Sequence, residues 1–213
     1  GALAFLTPRS FEGLDAYRAA LRECARLAPG RPIGVNLTQS RRPAENAAVP
    51  AWIDMALEEG VRCFETVGAA PGPLFARIHA GGGKVIHKSA FVDHALKAEA
   101  AGADAVALVG AEAGGHPGTN ELPAFVLGAM ALQRLRIPLA LGGGIGSGGQ
   151  VAAALALGAD AVLMGTRFLV CEEVWAHEDY KRHLASQPAE ASTLALTRTG
   201  NPWRVLRNGT VDE

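Results

Sequence analysis

His116 sits in the loop Gly114-Gly115-His116-Pro117-Gly118, just after the apolar run Ala105-Val106-Ala107-Leu108-Val109 and its closing Gly110. An imidazole takes up or releases a proton near neutral pH. Paired glycines lack the Cβ atoms that would hold a planar or phosphorylated ligand away from the backbone. The same residues are ordinary turn chemistry, so this loop alone does not separate a proton-transfer site from a plain turn. Two more glycine turns weigh toward a site. Gly142-Gly143-Gly144-Ile145 closes one apolar run and Gly165-Thr166 closes the next. Backbone N–H groups in adjacent turns of this kind, with a helix N-terminus behind them, attract a phosphate, and Thr166 adds a hydroxyl donor. No Gly-Lys-Ser/Thr occurs, which excludes a Walker A loop.

Asn36 and Lys88 end two other strand-like runs. A carboxamide and an ammonium at strand ends suit the carbonyl edge of a cofactor ring, and the cation would favour a reduced, anionic ring. A solvated polar pair is the plainer alternative. His87 alternates with Lys88 and is expected on the opposite face, in a structural role. His79, His94, His177 and His183 fall on or near helices and are read as surface or core residues. Glu112 either orients His116 or is a loop carboxylate. Neither a Ser-His-Asp order nor a metal-ligand cluster is evident.

Positioning these groups requires a repeated strand, short loop and helix. Strands are expected at about 2–6, 32–37, 61–66, 84–88, 104–109, 137–141 and 160–164. Helices are expected at about 11–28, 50–59, 73–80, 89–101 (with Ser89 as N-cap), 122–135 and 150–157. The stretch 168–199 reads as mainly helical and the tail from Thr197 as irregular. The sequence GADAV occurs at Gly102 and again at Gly158, each time where a helix stops and a buried strand begins. This echo marks a repeated βα unit. The fold expected is α/β, a TIM (β/α)8-type barrel with seven units and a helical C-terminal extension, in one domain over 1–213; an open doubly wound sheet is the alternative.

Composition bounds the rest. The 213 residues are 49% hydrophobic, enough for one domain with a sizeable core. The net charge is -1 and the Arg41-Arg42 pair is isolated, so neither nucleic acid nor an anionic membrane is an expected partner. No apolar run approaches the roughly 18 residues of a membrane span. The N-terminus carries no basic leader, so no signal peptide is expected. Cys24, Cys63 and Cys171 are odd in number and far apart, which suggests reduced thiols in a cytoplasmic protein.

Taken in order, these pieces resemble the nitronate monooxygenases, FMN-dependent TIM barrels. The pieces are GVNL at Gly34 to Leu37, IHK at Ile86 to Lys88, GAEAGGHPG at Gly110 to Gly118, GGGI at Gly142 to Ile145, ALALGADAVLMGTRF at Ala154 to Phe168, and LTRTGNPWRVLRN at Leu196 to Asn208. The resemblance implies that His116 is the catalytic base. It implies flavin contacts at Asn36, Lys88, Gly114, Gly144, Leu163, Met164, Gly165 and Thr166, with Gly115 and Gly143 beside them. The implied reaction oxidises alkyl nitronates with molecular oxygen to a carbonyl compound and nitrite, in a possible homo-oligomer. Val109 and Leu163 stand where the family often has glutamine. The family's first βα unit has no counterpart, so a partial barrel is expected, closed by another chain or left with weak FMN binding. Two alternatives remain: a flavin-dependent enoyl-acyl-carrier-protein reductase, for which no dinucleotide fingerprint is seen, and a non-catalytic flavin-binding fragment. An inosinate-dehydrogenase-like enzyme is discounted, because Cys63 lies within a strand and Cys24 in a helix.

Overall fold

The computed structural model describes residues 1–40, 42–68 and 72–212. Arg41, half of the basic pair noted above, and the terminal Glu213 lie outside the described residues. The seven expected strands are present: β1 (Ala4–Leu6), β2 (Ile33–Thr38), β3 (Cys63–Val67), β4 (Lys84–Ser89), β5 (Ala105–Val109), β6 (Leu139–Gly142) and β7 (Ala161–Leu163). Helices α1 (Gly13–Leu27), α2 (Val49–Glu58), α3 (Gly72–Ala80), α4 (Val92–Ala100), α5 (Ala124–Leu132) and α6 (Gly148–Leu157) alternate with them. The strands form one sheet in sequence order, and this is the α/β, TIM-barrel type of organisation. By contact density the chain divides into one compact unit of residues 1–89 and 93–106, and a second of 90–92 and 107–213.

In the first unit, β1 pairs with β2, β2 with β3 and β3 with β4, all parallel. Register puts Asn36 beside Glu65, and Val67 beside Lys88. Side chains alternate faces along a strand, so Asn36, Glu65 and Lys88 share one face. Val35, Leu37, Phe64, Thr66, Val85 and His87 occupy the other and are buried. Tyr17 and Leu21, one helical turn apart on α1, are buried as well. Arg18 and Arg22 on its polar side reach Glu58 and Glu59 at the end of α2.

The GADAV echo has a structural cause. Gly102 and Gly158 both follow a helix and take positive φ (97° and 114°), where a side chain would be strained. Two residues on, the aspartate locks the new strand to the start of the previous one. Asp104 N donates to Val85 O while its carboxylate accepts from Val85 N. In the second unit Asp160 N donates to Leu139 O and its carboxylate accepts from Leu139 N. Asp104 also receives Lys84 and His79, each at 2.8 Å. Burial opposes its charge, but these donors win and its pKa is lowered.

Three expectations change. Ser89 closes β4 instead of capping a helix, and α4 begins three residues later at Val92. Leu122 is not helical, because α5 opens only after Pro123, whose extended ψ of 152° sets the N-cap. The C-terminal stretch does contain helices, α7 (Thr166–Leu169) and α8 (Glu178–Ser186). It also carries an antiparallel hairpin, β8 (Ser192–Ala195) with β9 (Trp203–Leu206), then a short α9 (Gly209–Asp212). The hairpin lies where only helix or irregular chain was expected.

Candidate active site

Each unit carries its own set of candidate groups. In the first, Asn36 and Lys88 converge on Glu65, which sequence reasoning passed over. Lys88 Nζ lies 2.7 Å from Glu65 Oε1, and Asn36 Nδ2 donates to the same oxygen. Thr38 Oγ1 donates to Asn36 Oδ1 at 3.1 Å, fixing the amide's orientation. Glu65 is 3% exposed, whereas the Lys88 side chain keeps 25% of its surface. The strand-end pair is therefore a triad, and Lys88 is a compensated cation with two ammonium protons left to donate. A carboxylate inside Cys63-Phe64-Glu65-Thr66 was the available signal, since an acid within a buried strand needs partners. His87 faces away as expected: its Nδ1 lies 2.9 Å from Thr66 Oγ1, and the ring packs edge-on against Phe75. Burial, then the charge of His94, lowers its pKa, with Glu65 opposing.

In the second unit the loop after β5 is built around Gly110. A Cβ there would lie 2.2 Å from both Ala124 N and Glu112 Oε2. That close approach lets the Glu112 carboxylate accept from Ala124 N, at 3.0 and 3.2 Å, at the start of α5. Glu112 is thus a helix-capping carboxylate, and the reading of it as a partner for His116 is set aside. His116 itself is exposed.

What touches His116 comes from the C-terminal hairpin. Gly115 and Arg204 exchange backbone hydrogen bonds, N to O, of 3.0 and 2.7 Å. Residues 116 and 203 then stand opposite each other, and their ring centroids lie 3.9 Å apart at 58°. The Arg204 guanidinium donates to Ala111 O at 2.8 Å and to Ser192 Oγ at 3.3 Å. Sequence reasoning missed both residues. Arg204 and Ala111 are 93 positions apart, and no local pattern announces such a contact.

The glycine turns leave room. A Cβ on Gly165 meets nothing within 4 Å, and one on Gly114 meets only Thr166 Oγ1, at 3.6 Å. The loops after β5 and β7 are thus neighbours, with open space over both glycines. Gly143 and Gly144 take positive φ behind them. The start of α6 is less available than its sequence suggests. Gln150 Oε1 accepts from Gly146 N and Ser147 N, while Ser147 caps Gln150 N. Those donors are engaged, so an anion would rely on Gly143, Gly144, Gly165 and Thr166. Gly142 packs against Leu163 and Val109. The two positions where glutamines are frequent in the resembling family therefore flank Gly142 and are apolar here.

A cavity of about 120 Å³ lies beside this loop, lined by Gly118, Thr119, Glu121, Leu194, Thr197 and Pro202. Glu121 and Leu196, at and next to its wall, are the non-glycine residues with positive φ (53° and 56°) among those described. Another cavity of about 170 Å³, near Glu178 and Lys181, contains none of the candidate residues. No metal-binding group of three or more ligands occurs among the described residues, and no described helix is long and apolar enough to cross a membrane.

The family described as nitronate monooxygenase matches residues 1–213. A nitronate monooxygenase from Pseudomonas aeruginosa is 37% identical over 167 residues, covering 75% of this chain and 48% of the relative. A (3aS,4S,5R,7aS)-5-hydroxy-7a-methyl-1-oxo-octahydro-1H-indene-4-carboxyl-CoA dehydrogenase from Rhodococcus jostii is 34% identical over 182 residues, covering 85% and 50%. Among solved structures, FabK from Thermotoga maritima superposes with a TM-score of 0.83 at 34% identity, over 93% of this chain and 61% of that one. A nitroalkane oxidase from Streptomyces ansochromogenes gives a TM-score of 0.77 at 29% identity, over 96% and 69%. The chain spans about half the length of the curated relatives it matches.

Proposed function

The chain belongs to the nitronate monooxygenase family, and on that premise we propose that it oxidises alkyl nitronates and their parent nitroalkanes with molecular oxygen, giving a carbonyl compound and nitrite, with FMN as cofactor. The observation that carries this reading is the exposed imidazole of His116 on a loop whose own carboxylate, Glu112, is turned to α5. A base that this carboxylate does not engage is open to a proton from substrate. His116 takes the α-proton of a neutral nitroalkane. When bound, the flavin supplies the redox chemistry with oxygen.

The turns of the second unit fit such a group in two respects. Gly114 and Gly165 leave open space against the backbone. Gly143, Gly144, Gly165 and Thr166 offer amides and a hydroxyl for a phosphate, and Leu163 and Met164 lead into that turn. In the first unit, Asn36 and Lys88, the flavin contacts that the family resemblance implies, are held in fixed geometry by Glu65. Gly115 shapes the loop that carries the base.

A second reading is favoured by the 34% identity to a carboxyl-CoA dehydrogenase. Oxidation next to a thioester carbonyl also starts with removal of an α-proton, so His116 would serve it equally. One experiment separates the two. Oxygen uptake that depends on nitronate and needs no nicotinamide supports the first. Turnover confined to an acyl-CoA thioester, with no nitronate-dependent oxygen uptake, supports the second. NAD(P)H consumption dependent on an enoyl thioester would point instead to a reductase.

A further inference from the structure

We propose that Trp203 is a positioning residue for His116, delivered to the β5 loop by the C-terminal hairpin. This rests on the reading of His116 as the base. The two chain segments meet as an antiparallel bridge at Gly115 and Arg204, with N–O distances of 3.0 and 2.7 Å. In such a bridge the flanking residues 116 and 203 are cross-strand neighbours, whose side chains interact directly. Their ring centroids are 3.9 Å apart. Arg204 also ties the loop at Ala111 O, so the backbone under His116 is held at two points by one residue. The imidazole is exposed and the loop is rich in glycine, so little else in its own segment limits its rotation.

The tilt of 58° sets the imidazole obliquely against the indole, and His116 remains exposed. When a nitroalkane's α C–H bond breaks, the electron pair stays on the nitro-bearing carbon and the proton passes to a ring nitrogen of His116. The imidazolium that results then lies against an electron-rich ring, in a cation–π arrangement. Trp203 thus acts twice: it narrows the orientations of the base, and it stabilises the base once protonated. A preformed nitronate needs no such proton transfer, so its oxidation should not depend on Trp203.

Trp203→Ala and Trp203→Phe are compared with the unmodified chain on a neutral nitroalkane and on its preformed nitronate. Trp203→Ala should lower nitroalkane turnover roughly ten-fold, the size of a partly exposed cation–π contact. Nitronate turnover should change less than about two-fold, and Trp203→Phe should restore most of the loss. Equal losses on both substrates, or none on the nitroalkane, would overturn the proposal. An independent readout is the NMR signal of the His116 ring, identified by its disappearance in His116→Ala. It should be displaced by the indole ring current and move in Trp203→Ala; an unmoved signal would also overturn the proposal. If the chain oxidises neither substrate, the functional reading fails, and this signal still decides whether Trp203 governs the imidazole. If Trp203→Ala does not fold, Trp203→Leu replaces it under the same criteria.

Discussion

Lys88 Nζ lies 2.7 Å from Glu65 Oε1, and the carboxylate that receives it is buried while the lysine keeps a quarter of its surface. The two partners are therefore unequal. Removing the lysine strands a buried charge, whereas neutralising the acid leaves a cation that can still reach water. Lys88→Met should cost about 2 kcal/mol, below the range for wholly buried pairs because of the residual exposure. Glu65→Gln should cost about 1 kcal/mol or less, since the amide can still hydrogen-bond. Urea denaturation midpoints give the order, and a Glu65→Gln cost exceeding that of Lys88→Met would contradict it.

The glycines of the β5 and β7 turns separate folding from ligand binding. Gly114→Ala and Gly165→Ala add a Cβ that meets no atom closer than 3.6 Å. Both should melt within about 0.5 kcal/mol of the parent. If FMN lies over these turns, both should bind it at least roughly ten-fold more weakly, as steric exclusion of a flat ligand requires. Gly110→Ala is the contrast: its Cβ would sit 2.2 Å from a backbone nitrogen, and it should lose about 3 kcal/mol or fail to fold. Isothermal titration with FMN and thermal melts measure the two effects.

His87 makes stability depend on pH. Burial lowers its folded pKa beneath the roughly 6.5 of an unfolded histidine. The stabilisation from keeping it neutral is complete above about 6.5 and erodes as pH falls toward the folded value, because only the unfolded chain gains the proton. His87→Leu sacrifices the Thr66 hydrogen bond but cannot titrate. Its stability should be lower at pH 7 and flatter than the parent's as pH falls below about 6.5. Parallel slopes would reject this assignment.

Tyr17 is fully buried, and its hydroxyl has no hydrogen-bond partner among the described residues. Burial drives its pKa upward. Since that hydroxyl is desolvated without compensation, Tyr17→Phe should be neutral or stabilising by about 1 kcal/mol. Thermal melting checks it, and a loss of more than about 1 kcal/mol would indicate a partner for the hydroxyl.

The βα repeat was legible because its signals are local. Apolar runs, the Gly102 and Gly158 stops and the two GADAV aspartates each act within one unit or its neighbour. The alternation of His87 and Lys88 likewise forecast their opposite faces. The glycine turns and His116 stood out for the same reason. What stayed hidden depends on distance in sequence. Glu65 reads as one residue in a strand until register sets it against Asn36. Trp203 and Arg204 lie in a segment with no helical or alternating pattern strong enough to predict β9, and their partners belong to β5's loop. Glu112 was ambiguous for a related reason: only the position of Ala124 shows what it caps. The helix start behind the Gly142–Ile145 turn looked like an anion site, and the Gln150 side chain already engages it.

On the proposed function, His116 is the proton acceptor in a flavin-dependent oxidation of neutral nitroalkanes. The most direct measurement is oxygen consumption by the FMN-loaded chain and its His116→Ala variant, on a neutral nitroalkane and on the preformed nitronate. The variant should retain FMN and nitronate oxidation while nitroalkane turnover falls at least about 100-fold, the usual contribution of a general base. Equal nitroalkane turnover in the two proteins, with FMN bound to both, would contradict it.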